Sequence, residues 1–198
     1  MKILFISLII LIFIIIIYIQ YKNRDKFFIE ILNEIPKNNT VLDFGGGNCE
    51  LKNFLKGRNN VKTIDITKGC VDSDVYDGHI LPYNDKTFDI VVSSFVLHHI
   101  PHNIEILKEL ERVCKNKIII IEDYPDTFIS ELISKIHFLF FYQPMSYISN
   151  MKHPEEWIKN LNGKTNYKLM KAGSFINPTK HYIIINELKI NPDQQIMI

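Results

Sequence analysis

An almost unbroken apolar run opens the chain and ends at a cluster of charge. Every residue from Ile3 to Ile19 is apolar except Ser7 and, at the edge, Tyr18, and charged residues begin at Lys22. As a helix, this run covers roughly 26 to 28 Å, close to the ~30 Å hydrocarbon core of a bilayer. The pattern predicts a transmembrane anchor over residues 1–22, followed by one folded domain over residues 23–198.

Two other interpretations of this run fit the sequence less well. A cleaved signal peptide has a shorter apolar region and a small residue at its cleavage site, whereas Tyr18-Ile19-Gln20-Tyr21 stands at the exit here. A helix buried in a core carries its apolar residues on one stripe rather than on all faces. Lys22, Arg24 and Lys26 outweigh Lys2, so the positive-inside rule favours a single-pass membrane protein with its domain in the cytoplasm.

Beyond residue 24, short apolar runs typical of buried strands alternate with helical patterns. The predicted elements are a helix over 25–35, a strand over 41–44, a helix over 51–55, strands over 61–66, near Val75 and over 88–96, a helix over 104–114 and a strand over 117–121. This alternation predicts a parallel sheet with right-handed crossovers. Two last apolar stretches, 167–170 and 182–188, predict an antiparallel pair at the sheet edge.

The segment 128–142 is rich in aromatic and aliphatic residues at helical spacing. It predicts an inserted helix, for which packing on the sheet, a substrate lid and a membrane-surface contact remain open. Trp157, the single tryptophan, lies in a further predicted helix and is expected to pack against the sheet.

Composition removes several classes of function. Lysine and arginine total 23 against 22 aspartate and glutamate residues, so no strong positive field attracts nucleic acid, and no nucleic-acid partner is expected. The three cysteines, Cys49, Cys70 and Cys114, are odd in number and lack zinc-ligand spacing. We expect three reduced thiols, with neither a disulfide scaffold nor a structural zinc.

The glycine turn after the first strand is the most informative stretch. The strand over 41–44 runs into Gly45-Gly46-Gly47 at the start of a helix, where glycines let the backbone approach a ligand closely. Asp65 ends the next strand, twenty residues after Gly45. A carboxylate there accepts hydrogen bonds from the hydroxyls of a ribose. A dinucleotide site would want a further glycine where Glu50 stands, which disfavours a nicotinamide or flavin enzyme.

Four features together resemble the class I S-adenosylmethionine-dependent methyltransferases, and especially the small-molecule and quinone-methylating enzymes. They are Val-Leu-Asp-Phe-Gly-Gly-Gly-Asn at 41–48, Asp65, Asp-Gly-His-Ile-Leu-Pro-Tyr at 77–83, and Phe-Asp-Ile-Val-Val-Ser-Ser-Phe-Val-Leu-His-His at 88–99. The resemblance implies an α/β, Rossmann-like seven-stranded methyltransferase sheet with helices on both faces, preceded here by the transmembrane helix. It also implies S-adenosylmethionine as the cofactor.

The resemblance assigns a cofactor-binding role to eleven residues of this sequence. Glycines lie under the methionine part, acidic residues hold its amino group, the ribose and the adenine, and two serines line the pocket by the sulfonium. These residues are Asp43, Gly45, Gly46, Gly47, Asp65, Ile66, Asp77, Gly78, His79, Ser93 and Ser94. Cys49 stands where the family has a third glycine, so we expect an adjusted loop.

Candidate catalytic residues follow the strand over 88–96. The resemblance places His98 and His99 just beyond the strand that ends at the reacting methyl group, where one of them would act as a base or contact the substrate; a structural role remains open. His98 and His102 stand four apart, but Pro101 interrupts a helix through them, so no metal is expected. Residues 122–124 (Glu-Asp-Tyr) follow the next strand and are candidates to line the acceptor pocket.

The function expected from these features is methyl transfer to a small-molecule or lipid-like acceptor near a membrane. The methylated atom can be oxygen, nitrogen or carbon, so the acceptor stays open. The sulfonium donor is already electrophilic, and the protein mainly supplies orientation. Two alternatives remain: a catalytically silent, membrane-tethered binding or scaffold protein, and a protein methyltransferase.

Overall fold

The computed structural model describes residues 28–140, 150–170 and 180–189, together with Leu11, Ile15 and Tyr18. Within these residues one sheet is built from seven strands. They are β1 (Thr40–Phe44), β2 (Asn60–Asp65), β3 (Asp74–Val75), β4 (Phe88–Ser94), β5 (Cys114–Tyr124), β6 (Lys164–Leu169) and β7 (Lys180–Glu187).

The sheet has the strand order β3-β2-β1-β4-β5-β7-β6. Strands β1 to β5 pair in parallel, whereas β7 pairs antiparallel with both β5 and β6. The predicted parallel sheet with an antiparallel pair at its edge is therefore confirmed. The carboxyl ends of β1, β2 and β4 meet at one edge, and in such sheets ligands bind beyond that edge.

Helices cover both faces of the sheet, as predicted. They are α1 (Glu50–Phe54), α2 (Asn103–Val113), α3 (Phe128–Phe140) and α4 (Pro154–Ile158), with a short 3₁₀ turn at Leu97–His99 and helical residues at 28–32. Side chains of a strand alternate between faces. One face of β5, with Ile118 and Ile120, packs against α2 and the fully buried Trp157, and the other, with Ile119 and Ile121, belongs to a second core cluster.

Two elements differ from or extend the sequence-based prediction. The strand predicted over 117–121 extends over Cys114–Tyr124. Cys114 pairs with Phe88 of β4, and residues 117–124 all pair with β7. Glu122 and Asp123 therefore lie within the sheet rather than on a loop. The predicted helix over 128–142 is confirmed for residues 128–140, and its last two positions lie outside the described residues.

The predicted membrane localisation requires correction. The longest helix of the described part, α3, has 13 residues, which reach about 20 Å, whereas a bilayer core is about 30 Å thick. Among the residues that the structure describes, no helix combines the length and apolarity needed to cross a membrane. We therefore withdraw the single-pass, cytoplasm-facing assignment. Residues 1–22 lie outside the described residues, apart from Leu11, Ile15 and Tyr18.

Candidate functional site

A tight glycine bend follows β1 and leads into α1. Gly45 has a φ of 69°, and a side chain on it would overlap the Val96 side chain. A side chain on Gly46 would overlap the carboxylate of Asp43. Beside Gly47, by contrast, the space within 4 Å of an added Cβ is open. The bend is therefore packed closely on its inner side and open at Gly47, where a ligand could approach the backbone.

Asp65 lies against this bend at the end of β2. Its Oδ2 accepts the backbone N–H of Gly47 at 3.0 Å, and the N–H of Gly45 donates to the carbonyl of Ile64 at 2.8 Å. Because β1 and β2 are parallel neighbours, their carboxyl ends lie side by side. The structure thus brings together the glycine bend and the carboxylate that the sequence singled out.

Two cavities open beside Gly45 at this edge, and Gly45, Ser94 and Phe95 line both of them. The first, of about 370 Å³, is called the Tyr76 cavity and is lined by Phe44, Gly45, Asp65, Ile66, Tyr76, Ser94, Phe95, Val96, His99 and Ile100. The second, of about 360 Å³, is called the Phe28 cavity and is lined by Phe28, Asp43, Gly45, Gly46, Gly47, Asn48, Glu50, Leu51, Ser94 and Phe95.

Asp43 places a buried carboxylate at the wall of the Phe28 cavity. It is only 4% exposed, and its Oδ2 accepts the hydroxyl of Thr63 at 3.1 Å. Burial, opposed by the Thr63 hydrogen bond and reinforced by the charge of Asp65, raises the pKa of Asp43 to about 6. At neutral pH the carboxylate is therefore ionised at the cost of its desolvation, and a cationic ligand group would offset that cost.

The segment 77–80 forms a turn outside both cavities. Asp77 accepts the backbone N–H groups of His79 and Ile80 at 2.8 and 3.1 Å, and the His79 bond foremost lowers the pKa of Asp77. The Gly78 carbonyl accepts Nε2 of His102 at 2.8 Å. A Cβ on Gly78 would lie 3.8 Å from Cγ2 of Ile66, so this turn stands behind the Ile66 wall of the Tyr76 cavity.

Ser93 and Ser94 end β4 with different environments. Ser94 lines both cavities. Ser93 is fully buried, and among the described residues its hydroxyl meets no hydrogen-bond partner. A buried hydroxyl without a partner is costly, and Ser93 lines neither cavity, unlike the prediction that placed it at the pocket.

His98 is buried and bound to Glu122 of β5. The residue is 3% exposed, and Nδ1 lies 2.5 Å from Oε2 of Glu122. Oε1 of Glu122 accepts the N–H groups of Val96 and Leu97 at 3.1 and 2.7 Å. Burial lowers the pKa of His98, but the hydrogen bond and charge of Glu122 outweigh it and raise the pKa above its usual value. This carboxylate holds the loop after β4 in place.

His99, the next residue, faces the Tyr76 cavity. Burial and the neighbouring His98 lower the pKa of His99 to about 4, so its imidazole is neutral at physiological pH. The two rings lie 4.0 Å apart between centroids. Of the two predicted catalytic histidines, His99 thus lies at the cavity wall, whereas His98 is buried and lines neither cavity.

A family model described as "Methyltransferase domain" matches residues 17–170. The chain belongs to this family.

Known methyltransferases share both sequence and fold with it. Demethylmenaquinone methyltransferase of Lactobacillus johnsonii is 35% identical over 82 residues, 40% of this chain, and the match spans only 31% of that enzyme's length. S-adenosylmethionine-dependent methyltransferases from Methanosarcina mazei and Aquifex aeolicus have the same fold, with TM-scores of 0.63 and 0.58 at 17% identity. They are matched over 81% of this chain and over 97% and 88% of theirs, respectively. The family match confirms the predicted methyltransferase class, and both structural neighbours are described as dependent on S-adenosylmethionine, the cofactor predicted for this chain.

The site of this methyltransferase fits that cofactor. Three groups at the site match parts of the cofactor. The Asp65 carboxylate would accept hydrogen bonds from a ribose, the buried Asp43 carboxylate would accept them from an ammonium group, and the backbone at Gly47 is open. Cavities of this size fall in the ~300–1,000 Å³ range of small-molecule sites. The roles of all eleven predicted cofactor residues stay predictions. Seven of them line a cavity, whereas Asp77, Gly78, His79 and Ser93 line neither.

The cysteine prediction was wrong for two of the three thiols. Cys49 and Cys70 form a disulfide, and only Cys114 among the three is free. Odd cysteine number and wide spacing argued against a pair, but the methyltransferase fold brings the loops after β1 and β2 together and so places the two cysteines side by side.

Sequence reasoning also missed functional candidates of the methyltransferase. Tyr76 and Phe95 line the cavities, and His181 of β7 is paired through Nδ1 with Asp123 of β5 and stacks edge-on to Phe95 at 5.3 Å. Tyr76 precedes the quoted motif at 77–83 and could have been found there. His181 carries no local signal, because its partner lies 58 residues earlier in the chain.

Proposed function

We propose that this protein transfers the methyl group of S-adenosylmethionine to a small-molecule acceptor that enters beside Phe95 and His99. The observation that carries the proposal is the contact of the Asp65 carboxylate with the Gly47 backbone at the edge shared by β1, β2 and β4. Both cavities open at that contact. When bound, the cofactor supplies an electrophilic methyl group on its sulfonium.

The residues of the chain divide the cofactor between the two cavities. Asp65 receives the ribose hydroxyls in the Tyr76 cavity, with Tyr76 and Ile66 beside the base. Asp43, buried and ionised at neutral pH, receives the ammonium group of the methionine tail beside the glycine bend in the Phe28 cavity. Gly45, Ser94 and Phe95, which line both cavities, stand where the two halves of the cofactor join.

The acceptor side of the site is apolar and aromatic. Phe95, Val96 and Ile100 line the Tyr76 cavity near His99, and Phe28 lines the other cavity. Such walls favour an acceptor with a flat, apolar ring. The demethylmenaquinone methyltransferase relative supports a quinone-like acceptor, and a lipid-like substituent on that acceptor remains part of the proposal.

His99 is the residue that we assign as the base, and His98 positions it. An acceptor hydroxyl or acidic carbon must lose a proton as it attacks, and a neutral imidazole at the cavity wall can take it. With its pKa lowered to about 4, His99 is neutral at physiological pH. His98 is 3% exposed and bonded to Glu122, so it is fixed in place and holds the adjacent His99 ring in position.

Calorimetry of S-adenosylmethionine binding tests the cofactor site. Asp65→Ala should weaken binding by about 10-fold to 100-fold, because the charge-assisted hydrogen bonds to the ribose are lost. Glu105→Gln is the matched control, since Glu105 is an exposed acid on α2 that lines neither cavity. Unchanged affinity of the Asp65 variant would refute the placement of the cofactor.

Transfer of a labelled methyl group tests the acceptor class. Reduced quinones that lack a ring methyl group are offered to the wild-type protein, with an unrelated protein substrate in a parallel reaction. Label in the quinone supports the proposal. Label only in the protein substrate would favour a protein methyltransferase, and cofactor binding without transfer to either would favour a silent scaffold.

A further inference from the structure

The Cys49–Cys70 disulfide joins the two loops that carry the cofactor residues. Cys49 ends the glycine bend directly before α1, and Cys70 lies on the loop after β2. Their Cα atoms are 6.1 Å apart, and 21 positions separate them in sequence. The bond therefore fixes the bend relative to the loop that begins at Asp65.

Close backbone packing accompanies this tie. Gly69 lies so near the carbonyl of Gly47 that a Cβ on it would overlap the oxygen, and Gly47 in turn donates its N–H to Asp65. The disulfide is thus connected, through the contacts of Gly69 with Gly47 and of Gly47 with Asp65, to the carboxylate that lines the Tyr76 cavity. Moving residue 70 away would disturb the geometry of Gly47 and Asp65 together.

The loop over residues 66–72 is otherwise held by few contacts. Ile66 and Val71 are 63% and 86% exposed. Lys52 and Asp72 form an ion pair at 3.4 Å, but the Asp72 side chain is 74% exposed, so solvent screens it strongly. Among the described residues, the Ser73 hydroxyl bonds only to Cys70, donating to its carbonyl at 2.9 Å and accepting its N–H at 3.3 Å. The covalent bond is thus the main restraint on this loop.

We propose that Cys49 and Cys70 form a thiol–disulfide exchange site that controls the cofactor cavity, with the oxidised pair holding the loops in the arrangement that binds the cofactor. This rests on the proposed placement of the cofactor at Gly47 and Asp65. Reduction releases the loop over 66–72, and binding must then order it again, which costs affinity.

The reagent for this site is a dithiol. Its thiolate attacks the sulfur of Cys70, which is partly exposed, and Cys49, which is 2% exposed, leaves as a thiolate. The second thiol of the reagent then displaces Cys70 from the mixed disulfide. The reagent ends as a cyclic disulfide and the protein gains two electrons and two protons; a small disulfide compound takes them back in the reverse reaction.

Cys114 takes no part in this exchange. It is fully buried, its Sγ donates to the carbonyl of Lys117 at 3.1 Å, and burial raises the pKa of its thiol to about 11. It therefore carries little thiolate at neutral pH. Cys114→Ala is accordingly the control for a general effect of losing a thiol.

The test compares S-adenosylmethionine binding to oxidised and dithiothreitol-reduced wild-type protein by calorimetry. Alkylation followed by mass measurement counts the thiols in each sample, and far-ultraviolet circular dichroism follows the fold. We expect about tenfold weaker binding after reduction, restored by reoxidation. The double variant C49S/C70S should bind like the reduced protein and ignore the reductant, whereas Cys114→Ala should respond as the wild type does.

The outcomes separate this inference from the proposed function. Equal or tighter binding after verified reduction would overturn the inference while leaving the cofactor site intact. Loss of the circular dichroism signal on reduction would also overturn it, because the bond would then serve the whole fold. Absence of binding in both states would instead refute the cofactor placement itself.

Discussion

Glu122 of β5 and His98 of the 3₁₀ turn that follows the adjacent strand β4 form a buried pair, with Oε2 and Nδ1 2.5 Å apart. The other oxygen of the carboxylate accepts two backbone N–H groups of the loop that carries Phe95, Val96 and His99. One side chain of the central sheet therefore sets the position of the wall that we assign to the acceptor.

Glu122→Gln should lower both stability and turnover. The loss of a buried charged partner for His98 should reduce the free energy of unfolding by about 1 to 3 kcal/mol. Since the folded pKa of His98 is raised, the contribution of the pair is complete below the ordinary value of 6.5 and is lost as pH rises through the folded pKa. Denaturant unfolding of both proteins across this range measures the difference, which should shrink at high pH. A constant difference would contradict the assigned ion pair.

Asp43→Asn should stabilise the protein without ligand but weaken cofactor binding. The folded pKa of about 6 exceeds the ordinary 3.8, so the wild type loses stability as pH rises from about 4 to 6. At neutral pH this loss is about 2 to 3 kcal/mol, because one pKa unit corresponds to about 1.4 kcal/mol. The variant should lack this loss in thermal unfolding at pH 7.5 and match the wild type near pH 4. Lower stability at pH 7.5 would show that the carboxylate is paired rather than desolvated.

His99→Ala should slow methyl transfer and leave cofactor affinity nearly unchanged. Loss of a general base typically lowers the rate by about 10²-fold to 10⁴-fold. Because the pKa of His99 is lowered to about 4, the acidic limb of the wild-type rate profile should lie near that pH rather than near 6.5. Stopped assays at several pH values, with calorimetry as the control for binding, measure both. A profile that keeps its limb in the variant would exclude His99 as the base.

Gly45→Ala and Gly57→Ala separate backbone strain from overlap. Both glycines have a left-handed φ, 69° and 76°, but only Gly45 faces a neighbour, the Val96 side chain. Gly57→Ala should cost about 1 to 2 kcal/mol from strain alone, and Gly45→Ala about 1 to 3 kcal/mol more from overpacking. Thermal unfolding measures both, and Val96→Ala should recover part of the second cost in the double variant. Equal costs at the two glycines would contradict the close packing of Gly45 against the Val96 side chain.

The alternation of apolar runs was sufficient to predict most of the sheet. Strands β1, β4 and β5 are largely buried, so each appears in the sequence mainly as an apolar run between turns. Strand β2 instead alternates apolar and polar residues, with Val61 and Ile64 buried and Lys62 partly exposed. The sequence predicts that β5 ends at Ile121, before its observed end at Tyr124, because Glu122 and Asp123 are polar. Their burial depends on partners, His98 and His181, that lie 24 and 58 positions away.

The sequence by itself determined the order of strands and helices, the glycine bend, and the spacing of Asp65 from it, since all of these depend on local pattern and chain connectivity. Only the tertiary structure decided which polar groups meet: Cys49 with Cys70, Glu122 with His98, and Asp123 with His181. The physical reason is that such contacts join different strands or the loops that follow them. The distance between their residues is set by the packing of the sheet rather than by their separation along the chain.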